Sequence, residues 1–153
     1  MEKLGVNQLQ YCCFAIVGGG IGERLGSTRP KLCLTSNLIT NDTFLGFYFS
    51  YFRAIEHRFH CTVPVVIMTS HGTHDSYSPS ILLNCRICQE LEEHHYYGLN
   101  KEEVHLLLQI EVPSIINTAG QLAVQSDGHL VFKPHGHGDI HTLLYQVRLK
   151  HLF

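Results

Sequence analysis

Residues 17–31 read VGGGIGERLGSTRPK: five glycines, two arginines and a Pro-Lys pair directly after an apolar run. Glycines let a backbone approach its ligand closely, and successive amides can form an anion-binding nest. Arg24 offers a planar fork to phosphate oxygens, and Lys31 a point charge from the far end of the loop. Neither common phosphate fingerprint fits. G-x-G-x-x-G fails from Gly18, where the sixth residue is Glu23, and from Gly20, where it is Leu25. The P-loop fails because Lys31 does not follow a glycine at the required spacing. The pattern that stands is G-G-G-x-G-x-R-L-G, three residues, then Pro30-Lys31. A tight strand-to-helix turn with solvent-facing cations is the alternative, and Arg24 and Lys31 together favour phosphate.

Two further patterns carry chemistry. His135, His137, Asp139 and His141 fall as H-x-H-x-D-x-H, and imidazole with carboxylate makes a good zinc ligand set. The pattern departs by one residue from that of the metallo-β-lactamase-like hydrolases, so a zinc hydrolase is a minor reading. Cys85-x-x-Cys88 stands without a second pair and reads as helix surface or core. The other histidines, such as His57, His60, His94 and His95, read as ordinary polar positions.

The elements that must position these residues alternate. Residues 11–17 (YCCFAIV) form a continuous apolar run, the mark of a strand buried on both faces. Residues 40–59 carry a helix-start signal in Asn41, Asp42 and Thr43, then aromatics dense enough for a largely buried helix. Residues 63–69 read as a second buried strand with Pro64 near its beginning. Ser78 to Glu93 reads as a helix with Pro79 in its first turn. Residues 104–110 are a third strand, 122–132 a hairpin around Ser126-Asp127-Gly128, and Asp139 to His151 a last helix. Alternating strands and helices point to a parallel α/β sheet.

Composition sets limits. A chain of 153 residues is one domain's worth, and its net charge of -2 gives no reason to expect a nucleic-acid or anionic-membrane surface. Anionic ligands must therefore be met by a local cluster of cations and amides. No apolar stretch approaches the ~20 residues that span a bilayer. Six cysteines without a regular framework suggest reduced thiols and a cytoplasmic chain. Cys12 and Cys13, in the first strand, should act as small buried hydrophobes.

The glycine loop resembles the signature of the nucleotide-diphosphate-sugar pyrophosphorylases, in their uridylyl-transferring branch. Residues 63–77 (VPVVIMTSHGTHDSY), 96–115 (YYGLNKEEVHLLLQIEVPSI) and 132–145 (FKPHGHGDIHTLLY) resemble the UDP-sugar pyrophosphorylases within it. The four matches come in family order. Gly18 stands where relatives commonly have alanine, and Pro30-Lys31 fits the wider pyrophosphorylase pattern better than the UDP-sugar branch.

The resemblance implies a doubly wound, Rossmann-like nucleotidyltransferase sheet, incomplete here, with residues 1–153 as part of a catalytic domain. It implies a uridylyltransferase that condenses UTP with a sugar 1-phosphate, using Mg²⁺, to give UDP-sugar and pyrophosphate. The backbone at Gly18 and Gly19 would meet the uracil, with Gly20 and Gly22 completing the cradle. Gln109 would hydrogen-bond the uracil edge. Arg24 and Lys31 would offset charge on the triphosphate and the leaving pyrophosphate. Gly136 would pass close to the nucleoside, and His137 would lie near the sugar phosphate. Relatives are much longer, and their downstream parts hold the metal-binding aspartate, a second lysine and most sugar contacts. The chain is therefore expected to be weak or inactive alone, or to be a non-catalytic module for UTP or UDP-sugar. An incomplete sheet should also expose an unpaired edge and apolar surface, so marginal stability or self-association is expected.

Overall fold

The computed structural model describes residues 2–20, 22, 25–70 and 86–148. Helix α1 (Glu2–Gln8) leads through a short turn to strand β1 (Phe14–Val17), the glycine loop and helix α2 (Phe44–Phe59). Strand β2 (Val65–Thr69), helix α3 (Arg86–Glu93) and strand β3 (Val104–Leu108) follow. Strands β4 (Glu111–Pro113) and β5 (Phe132–Pro134) precede helix α4 (Asp139–Arg148).

Strands β1, β2 and β3 form one parallel sheet in that order, with Ile16 opposite Ile67 and Ile67 opposite Leu106. Helices cover both faces, because alternate residues of a strand point opposite ways. Val65 and Ile67 enter the main core with Phe49, Phe52 and Ile55 of α2 and Ile87 and Leu91 of α3. Val66 and Met68 enter a second core with Ile140 and Leu143 of α4. The sheet is thus doubly wound, as expected.

Strand β1 departs from the reading of a strand buried on both faces. It starts at Phe14, Ala15 and Val17 are exposed, and Phe14 and Ile16 are half-buried. It is the edge of the sheet, so α2 covers one face and nothing among the described residues covers the other. Cys12 therefore lies outside the strand and Cys13 is exposed; the buried thiols are Cys33 and Cys88. Burial raises the pKa of the Cys13 thiol, with the neighbouring Cys12 adding to it.

Helix α2 is capped as Asn-Asp-Thr suggested: Thr43 Oγ1 accepts from Gly46 N at 3.1 Å. Its aromatics divide. Phe49 and Phe52 are buried, while Phe44, Phe47, Tyr48 and Tyr51 are exposed where the helix overhangs the sheet edge. The hairpin around Ser126-Asp127-Gly128 forms, with Val124 bridged to Leu130 and Gly128 at φ 87°. It extends the short antiparallel pair of β4 and β5, which the sequence reading had not distinguished. The beginning of the Ser78–Glu93 helix and the end of the last helix lie outside the described residues. No described helix is long and apolar enough to cross a membrane.

Candidate nucleotide site

The glycine loop leaves the carboxyl end of β1, and each glycine meets a different neighbour. Gly18 is buried: a Cβ there would lie 2.9 Å from Leu32 and 3.0 Å from Ile67, so its Cα faces the core. Its N–H donates to Met68 O at 2.7 Å, which seats the start of the loop on β2. Gly19 faces the site. A Cβ there would meet Gln109 Nε2 and Ser70 Cβ, each at 3.2 Å. Ser70 Oγ donates to Gly19 O at 2.7 Å and fixes that peptide plane. Gly20 faces Lys31, whose aliphatic chain and Nζ would lie 3.5–3.7 Å from an added Cβ. Lys31 N donates to Gly20 O at 3.0 Å, closing the loop on itself.

Gln109 follows β3 and is only 3% exposed. Its N–H donates to Thr69 O at 2.9 Å, which places the side chain at the carboxyl end of the sheet beside Gly19. Gln109 Oε1 is buried and has no hydrogen-bond partner among the described residues. An unmade hydrogen bond on a buried polar atom costs about 1–3 kcal/mol, so such an atom calls for an explanation. A donor brought by a ligand supplies one.

The structure therefore brings Gly19, Gly20, Lys31 and Gln109 together. Gly22 serves the loop's return instead: it is buried and its N–H donates to Arg29 O at 3.0 Å. Arg24 lies outside the described residues. Gly136 follows β5 at φ 138°, a conformation that favours glycine, with open space where a side chain would stand. His137 beside it is exposed. This turn is tied to the site because His135 N donates to Ile110 O, one residue beyond Gln109.

The zinc set does not assemble. Among the described residues the one group of three side chains able to share a cation is Glu90, Glu93 and His94. His135, His137, Asp139 and His141 do not converge, because α4 begins at Asp139 and a helical step of two residues turns His141 by roughly 200°. His135 Nδ1 instead pairs with Asp139 Oδ1 at 2.6 Å, and Asp139 Oδ2 is buried without a partner. Glu90 is not free for a metal either, since Arg29 holds one of its oxygens and the Tyr97 hydroxyl the other.

Sequence reasoning did not single out Ser70, Arg29, Glu90 or Tyr97. Ser70 lay within a quoted motif, and only the fold shows that it holds Gly19. His94 is likewise more than an ordinary polar position, for its ring stacks on Tyr97 at 4.8 Å and 11°.

A parallel sheet wound on both faces, with a glycine loop after one strand, defines a doubly wound α/β protein. Comparison narrows the class. Residues 5–152 match the UTP–glucose-1-phosphate uridylyltransferase family, and the chain belongs to it. It is 34% identical to UDP-sugar pyrophosphorylase of Arabidopsis thaliana, over 99% of this chain and 25% of that protein. Against the UDP-sugar pyrophosphorylase of Oryza sativa subsp. indica it is 32% identical, over 95% of this chain and 24% of the other. Among solved structures it is similar to UDP-N-acetylglucosamine pyrophosphorylase of Trypanosoma brucei, solved with an inhibitor. The TM-score is 0.72 at 25% identity, covering 94% of this chain and 28% of that one. UDP-glucose pyrophosphorylase of Leishmania major gives a TM-score of 0.63, also at 25% identity, covering 95% and 28%. The chain spans about a quarter of the length of the curated relatives it matches.

Proposed function

We propose that this chain is the nucleotide-binding part of a uridylyltransferase, which joins UTP and a sugar 1-phosphate into UDP-sugar and pyrophosphate. The observation that carries the reading is Gln109 Oε1, buried and unpartnered beside Gly19. A uracil edge presents both an N–H donor and carbonyl acceptors, and a glutamine amide matches both. A glutamine amide also pairs with the donor and acceptor of an adenine edge, so titration with ATP is needed to separate the two bases.

The reaction would be in-line attack by a sugar phosphate oxygen on the α-phosphorus of UTP. It joins two anions, so positioning and charge neutralisation supply most of the catalysis. Lys31, held against Gly20, and Arg24 are the cations proposed for the triphosphate. Gly136 and His137 are proposed to flank the nucleoside and the sugar phosphate. Mg²⁺ is proposed as the metal of this reaction, where it would offset charge on the triphosphate. A cytoplasmic setting belongs to the same reading, and the free thiols at Cys12, Cys13 and Cys61 support it.

A second reading is a binding module without turnover, favoured by the quarter-length coverage of the relatives. Release of pyrophosphate from UTP and glucose 1-phosphate by this chain alone would exclude it. Both readings require UTP in the site. Calorimetric titration with UTP, and with ATP as control, should show heat of binding for UTP alone. Equal binding of ATP by the folded chain would overturn both.

A further inference from the structure

We propose that Glu90 is a positioning residue for the glycine loop. It acts through Arg29 and is itself aimed by a strained turn at Tyr97. The inference rests on the reading of this loop as the nucleotide seat, and goes beyond it by naming what holds the seat in shape.

Glu90 is 5% exposed and sits on the buried side of α3. Its two oxygens serve two segments. Oε2 accepts from Arg29 Nη2 at 3.1 Å, and Oε1 accepts from the Tyr97 hydroxyl at 3.0 Å. His94 Nε2 stands 3.7 Å from Oε1. Arg29 in turn accepts the Gly22 amide on its carbonyl at 3.0 Å, and its own N–H donates to Ser27 Oγ at 3.1 Å. Two residues on, Lys31 N closes onto Gly20 O. Helix α3 grips the same arm a second time, because Arg86 Nη1 donates to Thr28 O. The return arm is therefore fixed from outside at residues 28 and 29, and it fixes Gly20 and Gly22 from within. One consequence separates the cations. The Arg29 charge is matched by Glu90, whereas Lys31 pairs with no carboxylate among the described residues.

The turn that presents Tyr97 is costly. His95, Tyr96 and Tyr97 stand at φ 49°, 53° and 49°, and Gly98 follows at 86°. Three consecutive non-glycine residues in the left-handed region are held only where surrounding contacts over-determine them. Here the Tyr97 hydroxyl meets Glu90 and also Thr43 Oγ1 at 3.1 Å. Its carbonyl accepts from Arg53 Nη1 at 3.2 Å, and its ring lies against the glycine notch at Gly46, where a Cβ would come within 2.8 Å. A tyrosine in ordinary backbone conformation at this position would not aim its hydroxyl at the same point. The strained turn, Glu90, Arg29 and the loop form one connected chain of contacts.

Hydrogen exchange on the full chain tests this without any ligand. In Glu90→Gln the amides of Gly22, Ser27 and Lys31 should exchange about tenfold faster, as expected on loss of a charged hydrogen bond. The amides of β2 and β3 should keep their protection, which a merely structural role for Glu90 would not allow. The double variant Arg29→Gln with Glu90→Gln, which removes both charges of the pair, should exchange no faster in the loop than Glu90→Gln alone. Unchanged loop exchange in both variants would overturn the proposal, and so would uniform loosening of loop and sheet. The same variants should bind UTP about tenfold more weakly. If the wild-type chain binds no UTP, the uridylyl reading fails by itself, and the exchange data still decide whether Glu90 holds the loop.

Discussion

At the scale of single residues, Gln109 and Gly19 are the centre of the proposed site. Gly19 must lack a side chain because Gln109 and Ser70 already stand 3.2 Å from where its Cβ would be. On the proposed reading Gln109 is polar for the ligand, since its buried Oε1 pairs with none of the described residues. Gln109→Leu should therefore leave the unfolding midpoint unchanged or raise it, by up to about 1 kcal/mol of relieved desolvation. A clear fall in thermal stability, measured by calorimetry, would show that the amide serves the fold after all. The family resemblance made Gln109 and the loop glycines legible from sequence. Gly18 and Gly22 also serve the fold, because glycine has two uses. Gly18 is small so that Leu32 and Ile67 can close over it, and Gly22 so that the loop can turn back. Glu90 was illegible for a plainer reason. It is one of 13 acidic residues, and nothing local marks the one that the fold brings to Arg29.

At the scale of elements, the links between α2, α3 and the turn at 95–98 matter most. Burial pushes the Tyr97 phenol well above its ordinary pKa of 10.0; the Thr43 hydroxyl opposes this and the Glu90 carboxylate adds to it. The folded state thus favours the neutral phenol. Its contribution is fully present below the unfolded value near 10 and is lost as pH rises toward the folded value. Stability should fall on raising the pH above 10.0, and Tyr97→Phe should flatten that decline. Denaturant melts of both proteins at pH 9 to 11 would check it; identical slopes would contradict the burial of an obligately neutral phenol. The cap of α2 was readable in Asn41-Asp42-Thr43 because capping is local chemistry. Its far end at Phe59 was read as well, although the residue that stops it, His60 at φ 52°, is not the glycine that usually marks the left-handed position. By contrast, the composition of residues 11–17 showed an apolar strand but not its place at an edge, which only pairing decides.

At the scale of the whole molecule, the sheet is open. Helices α2 and α3 lie on one face and α4 on the other. Connections between parallel strands are right-handed, so in a chain of the relatives' length a crossover through α4 would bring a further strand back to β1. In the described residues that edge has no partner. Beside it lies an apolar groove of about 660 Å³, lined by Ala15, Val17, Phe47, Tyr48 and Tyr51 among others. Exposed edges and apolar patches promote association. On this account the chain self-associates at micromolar concentration, and Phe47→Glu shifts it toward monomer in sedimentation. A wild-type chain that stays monomeric would count against association through this face. The parallel sheet and the loop's position after its first strand were legible in the alternation of strands and helices. The exposed aromatic face of α2 was not, because its residues are as apolar as those of the core.

The central claim is that Gln109 and Gly19 form a seat for uracil. Its most direct test is the UTP affinity of the wild-type chain and of Gln109→Leu, measured side by side by calorimetry on folded protein. The account predicts that the wild type binds UTP and that the variant binds at least about tenfold more weakly, the loss of one buried polar contact. Equal affinity in the two proteins would contradict it and place the base elsewhere.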